Sequence, residues 1–235
     1  MDDQPANRLL IFDFDGVIAD SEVVANDVLA EAVSELGVPT SREDSYRRYM
    51  GKRAPEVLAE IERAIGRPLP EGFPEALQER TLAALGKDLK VVAGLHDYLM
   101  AFPAPQRCIA SSSSPDRLAL CLEVLGLRDQ FGPHVYSASM VARGKPAPDI
   151  FLYAAEQVGI VPSCCLVLED SHAGIEAAIA AGMTVIGLTA ASHIQAGHAA
   201  RLVAAGAHHV ADSFAEAEAI TRRWLSAPPE APQGC

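Results

Sequence analysis

Four short apolar runs, separated by segments with helical patterns, constrain the fold of this chain more than any other feature. They read RLLIF, RCIA, CCLVL and TVIGL. Each is continuous rather than alternating in polarity, which is typical of strands covered on both faces in a parallel sheet. One helical segment between them has recognisable ends, with Ser114 and Pro115 as N-cap and first helical position and Gly126 closing it. This alternation predicts a doubly wound, Rossmann-like α/β sheet.

The segment that follows the first run breaks the alternation. It contains four helical patterns and no convincing strand, so we predict an all-helical unit inserted directly after the first strand. Thr40 and Glu43 stand at capping-box spacing, and Gly37, Gly66 and Gly86 fall where helix C-caps belong. The expected organisation is an α/β core of residues 1–19 and 92–235, a helical cap of residues 20–91, and a Pro-rich, disordered tail over 226–235.

The charge balance limits the partners that we expect. The 235-residue chain carries a net charge of −12 at pH 7, whereas nucleic acids and anionic membrane surfaces require basic patches. No apolar run approaches the ~20 residues of a membrane span, and the first residues, MDDQPANR, lack a signal-peptide pattern. The five cysteines show no metal-finger spacing and indicate reduced thiols. We therefore expect a cytoplasmic protein that binds neither nucleic acid nor a membrane.

Polar residues next to the predicted strands indicate a common site. In open α/β sheets, functional groups gather at the carboxyl ends of the strands. Taken singly, each of these residues has a plain structural explanation, such as a solvated turn, a helix cap or a surface cation. Their joint occurrence, each beside a strand or helix-start signal, favours one site. The set comprises Asp13, Asp15, Ser111, Lys145, Glu169 and Asp170.

The motif order FDFDGVIADSE, IASSSS, GKPAPDIF and LEDSHAGIEAAIAAGM resembles that of the haloacid dehalogenase superfamily of hydrolases. The resemblance covers nearly the whole chain, and the helical insert is similar to the C1 cap of that superfamily. It implies that Asp13 is the nucleophile and that Asp15 is the general acid and base. The resemblance also implies that the phosphoryl group is held by Ser111, Ser112 and Lys145, and that a Mg²⁺ ion is held by Asp13, the backbone carbonyl of Asp15, Glu169 and Asp170.

Phosphoryl transfer requires the same kinds of groups, namely a carboxylate nucleophile and cations that neutralise the phosphoryl oxygens. Two like charges repel each other by on the order of 4 kcal/mol at 4 Å and an effective dielectric near 20. A phosphomonoester would likewise repel a carboxylate nucleophile, and Mg²⁺, Lys145 and Ser111 would offset that repulsion. We therefore predict a Mg²⁺-dependent phosphatase that hydrolyses a small phosphorylated metabolite through an aspartyl-phosphate on Asp13.

Four other functions are compatible with parts of the pattern. Dehalogenases and phosphonate-cleaving members of the superfamily lack the second aspartate, so Asp15 argues against both. β-Phosphoglucomutases share the DGVIADSE motif but carry a histidine and a cap arginine where Ala25 and Ala54 stand. A phosphosugar mutase is therefore the alternative. A non-catalytic phosphoacceptor switch is less favoured, because receiver modules are about half this length and have no role for a helical insert.

Substrate choice is expected to depend on the helical cap. The segment YRRYMGKRAPE is basic in an otherwise acidic chain. A solvent-exposed helix face is a sufficient structural explanation for these basic residues. The functional interpretation is that Lys52 or Arg53 binds a polar, anionic leaving group such as a sugar or sugar-acid phosphate. The histidines of the C-terminal part show no metal-ligand spacing and receive no role. The sequence leaves a monomer and a dimer equally open.

Overall fold

The structure is a computed structural model of the chain and describes residues 8–50, 52, 54–103 and 106–227. The chain divides into two compact units, one made of residues 1–20 and 91–235 and the other of residues 21–90. We call them the core unit and the helical unit. Most of the tail assigned to residues 226–235 lies outside the described residues; Ser226 belongs to the last helix.

Six parallel strands form the sheet of the core unit. They are β1 (Leu9–Phe12), β2 (Gln106–Ser111), β3 (Val135–Ser137), β4 (Cys165–Glu169), β5 (Thr184–Leu188) and β6 (His209–Ala211). Their order in the sheet is β3-β2-β1-β4-β5-β6. β1 pairs with both β2 and β4, and all of its residues are buried. The four apolar runs therefore became β1, β2, β4 and β5, as predicted, and the two edge strands were not predicted.

Four helices make up the described part of the helical unit, and no strand is assigned there. They are α1 (Ser21–Glu35), α2 (Arg42–Tyr49), α3 (Ala54–Ile65) and α4 (Phe73–Asp88). α1 packs against α2 and α4. Val33, Tyr49 and Ile61 form the buried centre of this unit, surrounded by partly buried aliphatic and aromatic side chains. Because these three residues come from α1, α2 and α3, the helical unit has a small hydrophobic core of its own.

Two local predictions in the helical unit were wrong. The N-cap of α2 is Ser41 rather than Thr40: the Ser41 hydroxyl accepts from the backbone N–H of Asp44, and the Asp44 carboxylate accepts from the backbone N–H of Ser41. The Thr40 hydroxyl instead donates to a backbone carbonyl two residues earlier. Gly86 does not end a helix, because α4 continues past it. A helix interior tolerates glycine at a cost of up to about 1 kcal/mol.

Helices cover both faces of the sheet. Those described in the core unit are α5 (Leu95–Ala101), α6 (Pro115–Val124), α7 (Arg128–Phe131), α8 (Asp149–Val158), α9 (His172–Ala180), α10 (His198–Ala204) and α11 (Phe214–Ser226). On one face, Ile11 belongs to the hydrophobic cluster that includes Phe151 of α8. On the other, the Phe12 ring makes edge contacts with Tyr98 of α5 and Phe131 of α7, at centroid distances of 5.9 and 5.6 Å. The doubly wound α/β fold is confirmed.

The helical unit is inserted at one point of the core unit. Ala19 and Val91 form an isolated antiparallel bridge, and the backbone N–H of Val92 donates to the carbonyl of Ile18 at 2.9 Å. The chain therefore leaves and re-enters the core unit at neighbouring positions, shortly after β1. Among the described residues, no helix combines the length and apolar character needed to cross a membrane.

Candidate active site

Asp13 lies at the carboxyl end of β1, in the middle of the sheet. Its backbone N–H donates to the carbonyl of Leu168 at 2.9 Å, which extends the β1–β4 ladder by one residue and fixes the backbone here. The side chain is 11% exposed and accepts a hydrogen bond from Lys145 Nζ at 2.5 Å. Burial raises the pKa of Asp13 to about 7, against the lowering effect of Lys145. In this environment the Asp13 carboxylate is held close to a cation but poorly solvated.

Lys145 is the cation around which the site is built. Its Nζ donates to Asp13, to Glu169 Oε1 at 2.7 Å and to the carbonyl of Ala110 at 3.1 Å. The Phe151 ring lies 4.9 Å from Nζ, and the lysine side chain is only 5% exposed. Burial lowers the pKa of Lys145, but the adjacent Asp13 and Glu169 outweigh burial and hold that pKa above its ordinary value. Lys145 is therefore a fixed, permanently charged ammonium group.

Three buried carboxylates form a cluster here, and two of them, Asp13 and Glu169, contact this ammonium group. Oxygen atoms of Asp13, Glu169 and Asp170 all lie within 4.8 Å of one another. Glu169 is held through both oxygens, with Oε1 accepting from Lys145 and Oε2 from the backbone N–H of Ser171 at 2.7 Å. Three carboxylates and one ammonium group leave an excess of negative charge that a further cation would relieve.

Two glycines provide the space that the acidic cluster occupies. A Cβ atom on Gly16 would lie 1.8 Å from Asp170 Oδ2, and a Cβ atom on Gly174 would lie 1.7 Å from Glu169 Oε1. Gly16 also has φ +81°, a backbone conformation that favours glycine. Both carboxylates can therefore occupy their positions only because the neighbouring glycine has no side chain. The donors are hard carboxylate oxygens in a cradle kept open by glycine, and this set fits Mg²⁺.

Asp15, the second aspartate of the first motif, is not one of these three carboxylates and has partners of its own. Ser113 Oγ donates to Asp15 Oδ2 at 2.6 Å, and a guanidinium nitrogen of Arg117 donates to Oδ1 at 2.6 Å. The Asp15 and Arg117 side chains are 21% and 22% exposed. The carboxylate of Asp15 is thus reachable from solvent, whereas that of Asp13 is nearly enclosed.

The serine run after β2 is divided between buried and exposed positions. Ser111 is buried, and its Oγ accepts from the backbone N–H of Ser113 at 3.0 Å. Ser112 is exposed. Ser114 is the N-cap of α6, as predicted, and its side chain accepts from the backbone N–H of Arg117.

The two basic residues assigned to the substrate belong to the helical unit. Lys52 is exposed, and its Nζ pairs with Glu60 Oε2 at 3.1 Å within that unit. Arg53 lies outside the described residues. A substrate-binding role for either stays a prediction.

Two histidines that received no role from the sequence contact Asp170. His198 Nε2 donates to the backbone carbonyl of Asp170 at 2.5 Å, because Arg201 donates to Nδ1 at 2.9 Å and so places the proton on Nε2. His193 Nε2 lies 3.5 Å from Asp170 Oδ2, and burial lowers the pKa of His193. Both histidines follow β5. The strand-end rule that identified Asp13 could have identified them as well.

Together, the doubly wound sheet and the group of aspartates, lysine and glutamate at its carboxyl edge define an enzyme site suited to an anionic substrate. A family model described as haloacid dehalogenase-like hydrolase matches residues 8–182. The chain belongs to this family of hydrolases.

Similar proteins come from several bacteria. The phosphorylated carbohydrates phosphatase of Thermotoga maritima is 32% identical over 177 residues, covering 74% of this chain and 81% of that protein. A conserved haloacid dehalogenase-like protein of unknown function from Agrobacterium tumefaciens has a crystal structure with 39% identity and a TM-score of 0.84, covering 92% and 98% of the two chains. A family hydrolase from Deinococcus radiodurans, with bound phosphate and sodium, has 35% identity and a TM-score of 0.78 over 96% and 100%.

Proposed function

We propose that this protein is a Mg²⁺-dependent phosphatase that hydrolyses a small phosphomonoester, of the sugar or sugar-acid phosphate class. The observation that carries the proposal is the position of Lys145 Nζ, within 2.5 Å of Asp13 and 2.7 Å of Glu169 in a buried site. A fixed ammonium beside a carboxylate nucleophile offers a partner to a phosphoryl oxygen that the nucleophile would otherwise repel.

The metal would be held by Asp13, Asp170 and the backbone carbonyl of Asp15, with Glu169 next to them. When bound, Mg²⁺ supplies positive charge that neutralises a phosphoryl oxygen and orients the group. Glu169 already accepts hydrogen bonds on both oxygens, which favours a supporting role for it. Its carboxylate keeps Lys145 in place and adds negative charge to the metal site.

In the first step, an Asp13 oxygen attacks phosphorus and forms the aspartyl-phosphate as the bond to the leaving oxygen breaks. Lys145 and the hydroxyl of Ser111, with Ser112 beside it, orient the phosphoryl oxygens. Asp15, in its protonated form, gives its proton to the leaving oxygen. The leaving group departs as a neutral alcohol.

In the second step, a water molecule attacks the phosphorus of the aspartyl-phosphate. Asp15, now a carboxylate, takes a proton from this water as the bond between phosphorus and the Asp13 oxygen breaks. Inorganic phosphate is released, Asp13 is a carboxylate again and Asp15 is protonated for the next cycle. The exposure of Asp15, compared with the enclosed Asp13, suits a group that exchanges protons with substrate and water.

The substrate class rests on two observations. The similar protein of Thermotoga maritima is named for phosphorylated carbohydrates. Lys52 is an exposed cation of the helical unit and, with Arg53, would suit a polar anionic leaving group. Ala25 and Ala54 stand where a phosphosugar mutase would carry its histidine and arginine, and hydrolysis is therefore favoured over mutase activity.

A phosphate-release screen tests this proposal. The purified protein is incubated with a panel of phosphorylated sugars, sugar acids and short-chain phosphoesters, with Mg²⁺ or with excess chelator. We expect release from one group of sugar-related phosphates with Mg²⁺ only, and none from Asp13→Asn. Intact-protein mass spectrometry of quenched reactions should detect a phosphate adduct on the wild type alone. Turnover that persists in chelator, or in Asp13→Asn, would contradict the proposed mechanism.

A further inference from the structure

The carboxylate of Asp15 is held at both oxygens by two side chains of the segment that follows β2. Ser113 Oγ and a guanidinium nitrogen of Arg117 each donate to it over 2.6 Å. The bond from Arg117 joins two charged groups, and such charge-assisted hydrogen bonds are about twice as strong as neutral ones. With a fixed donor on each oxygen, the Asp15 side chain is restricted in both of its torsions.

Both donors are themselves fixed by the core unit. The backbone N–H of Ser113 donates to Ser111 Oγ at 3.0 Å, and its carbonyl accepts from Ser137 Oγ at 2.7 Å. Ser113 is therefore tied to the ends of β2 and β3. Arg117 lies in the first turn of α6, where the Ser114 N-cap accepts from its backbone N–H. Three separate elements thus determine where the Asp15 carboxylate points.

We propose that Arg117 is the positioning residue for Asp15, holding its carboxylate in the orientation from which it exchanges protons with the leaving oxygen and with water, with Ser113 as a second support. This inference rests on the proposed function, because it assumes the proton-transfer roles of Asp15. Arg117 acts through Asp15, to whose carboxylate a guanidinium nitrogen donates. Its contribution is to hold the Asp15 carboxyl group in one orientation both before and after that group gives up its proton.

The effect of the leaving group on the rate distinguishes two roles for Arg117, the positioning of Asp15 and general support of the fold. An alkyl phosphate has a basic leaving oxygen, so its first step needs the proton of Asp15. p-Nitrophenyl phosphate has a weakly basic leaving group that departs without a proton, and only its second step needs Asp15. Loss of Arg117 should therefore slow both steps with an alkyl phosphate but only the second step with the nitrophenyl ester. A general structural defect would slow the first step with both esters.

The experiment compares Arg117→Met with Asp15→Asn and with the double variant. General acid–base catalysis typically contributes about 10²–10⁴-fold. With an alkyl phosphate from the screen, we expect Asp15→Asn to lose activity on this scale and Arg117→Met to lose at least about tenfold. The double variant should be no slower than Asp15→Asn alone, because the two residues act through one group. With p-nitrophenyl phosphate, both single variants should release a rapid burst of nitrophenol and then turn over slowly.

Matched variants control for folding and for loss of charge. Arg128→Met removes an exposed arginine of α7 that pairs with Glu123 at 3.7 Å, and it should behave as the wild type. Arg117→Lys keeps the cation and should recover part of the activity towards alkyl phosphates. Ser113→Ala should show the same leaving-group dependence as Arg117→Met, to a smaller extent, and keeps the inference testable if Arg117→Met does not fold.

Two results would overturn the inference while leaving the proposed function intact. One is an Arg117→Met variant that is as active as the wild type, or that releases nitrophenol slowly from the start, without a burst. The other is a double variant whose loss is the product of the two single losses. Failure of the proposed function is distinct, because the wild type itself would then release phosphate from no ester with Mg²⁺.

Discussion

Replacing Gly16 with alanine tests whether the acidic cluster depends on an absent side chain. The added Cβ would lie 1.8 Å from Asp170 Oδ2, and Cβ atoms essentially never approach another heavy atom closer than 3.0 Å. The Asp170 carboxylate and the backbone at Gly16 must therefore separate by at least about 1.2 Å, the difference between those two distances. A displacement of about 1 Å in a catalytic constellation can lower the rate by about 100-fold. We expect a loss of this size for Gly16→Ala.

The same substitution also strains the backbone, and a second glycine measures that effect by itself. Gly159 ends α8 with φ +78°, close to the +81° of Gly16, and a Cβ there would meet nothing within 4 Å. An L-residue in this conformation costs roughly 1–2 kcal/mol. Gly159→Ala should therefore lose about this much stability towards urea, and Gly16→Ala at least as much. Only Gly16→Ala should lose activity.

The assay is phosphate release as a function of Mg²⁺ concentration, together with urea unfolding of the same samples. Binding of Mn²⁺, followed by electron paramagnetic resonance, provides a readout that does not depend on turnover. We expect weaker Mn²⁺ binding by Gly16→Ala and unchanged binding by Gly159→Ala. The reasoning is refuted if Gly16→Ala binds the metal and turns over as Gly159→Ala does.

Three further predictions follow from the same cluster and from the helical unit. Burial raises the pKa of Asp13 from 3.8 to about 7, so the metal-free protein should lose stability as pH rises between these values. Above pH 7 and in chelator, urea unfolding should show Asp13→Asn to be more stable than the wild type by on the order of 1–4 kcal/mol. A variant that is equally stable or less stable would contradict this assignment. Gly174→Ala should lower activity by displacing Glu169. Gly86 is also helical, but a Cβ added there would meet nothing within 4 Å, so Gly86→Ala should leave activity unchanged and raise the free energy of unfolding by up to about 1 kcal/mol. Equal activities of the two variants would contradict the steric explanation. With β-glucose 1-phosphate, Mg²⁺ and a bisphosphate primer, inorganic phosphate should accumulate much faster than glucose 6-phosphate, and the opposite ratio in a coupled assay would identify a mutase.

The central strands could be predicted from the sequence because burial on both faces leaves a continuous apolar run. All residues of β1 and β4 are buried, and hydrophobicity alone identifies them. The edge strands β3 and β6 have three residues each, and β6 runs from exposed to buried. A segment so short leaves no pattern that distinguishes it from a turn. These strands exist because a neighbouring strand offers them backbone hydrogen bonds, which is a property of the assembled sheet.

The same distinction separates the parts of the site. Asp13 was found from its place after a strand, whereas the pairing of Arg117 with Asp15 joins residues 102 positions apart and follows only from the way α6 packs. The N-cap of α2 shows a different limit of prediction from local sequence. Thr40 with Glu43 and Ser41 with Asp44 offer the same spacing one residue apart, and local sequence cannot choose between them. The choice falls to Ser41 because Thr40 is engaged with the preceding turn.

The bridge between Ala19 and Val91 has a consequence for how the sequence of a chain like this one can evolve. The two ends of the helical unit are neighbours in the core, so residues 21–90 can lengthen, shorten or be exchanged while the path of β1 stays the same. Loop-closure entropy grows only with the logarithm of loop length, by about 0.6 kcal/mol for each doubling. The acidic cluster at Asp13 and the helical unit can therefore diversify separately.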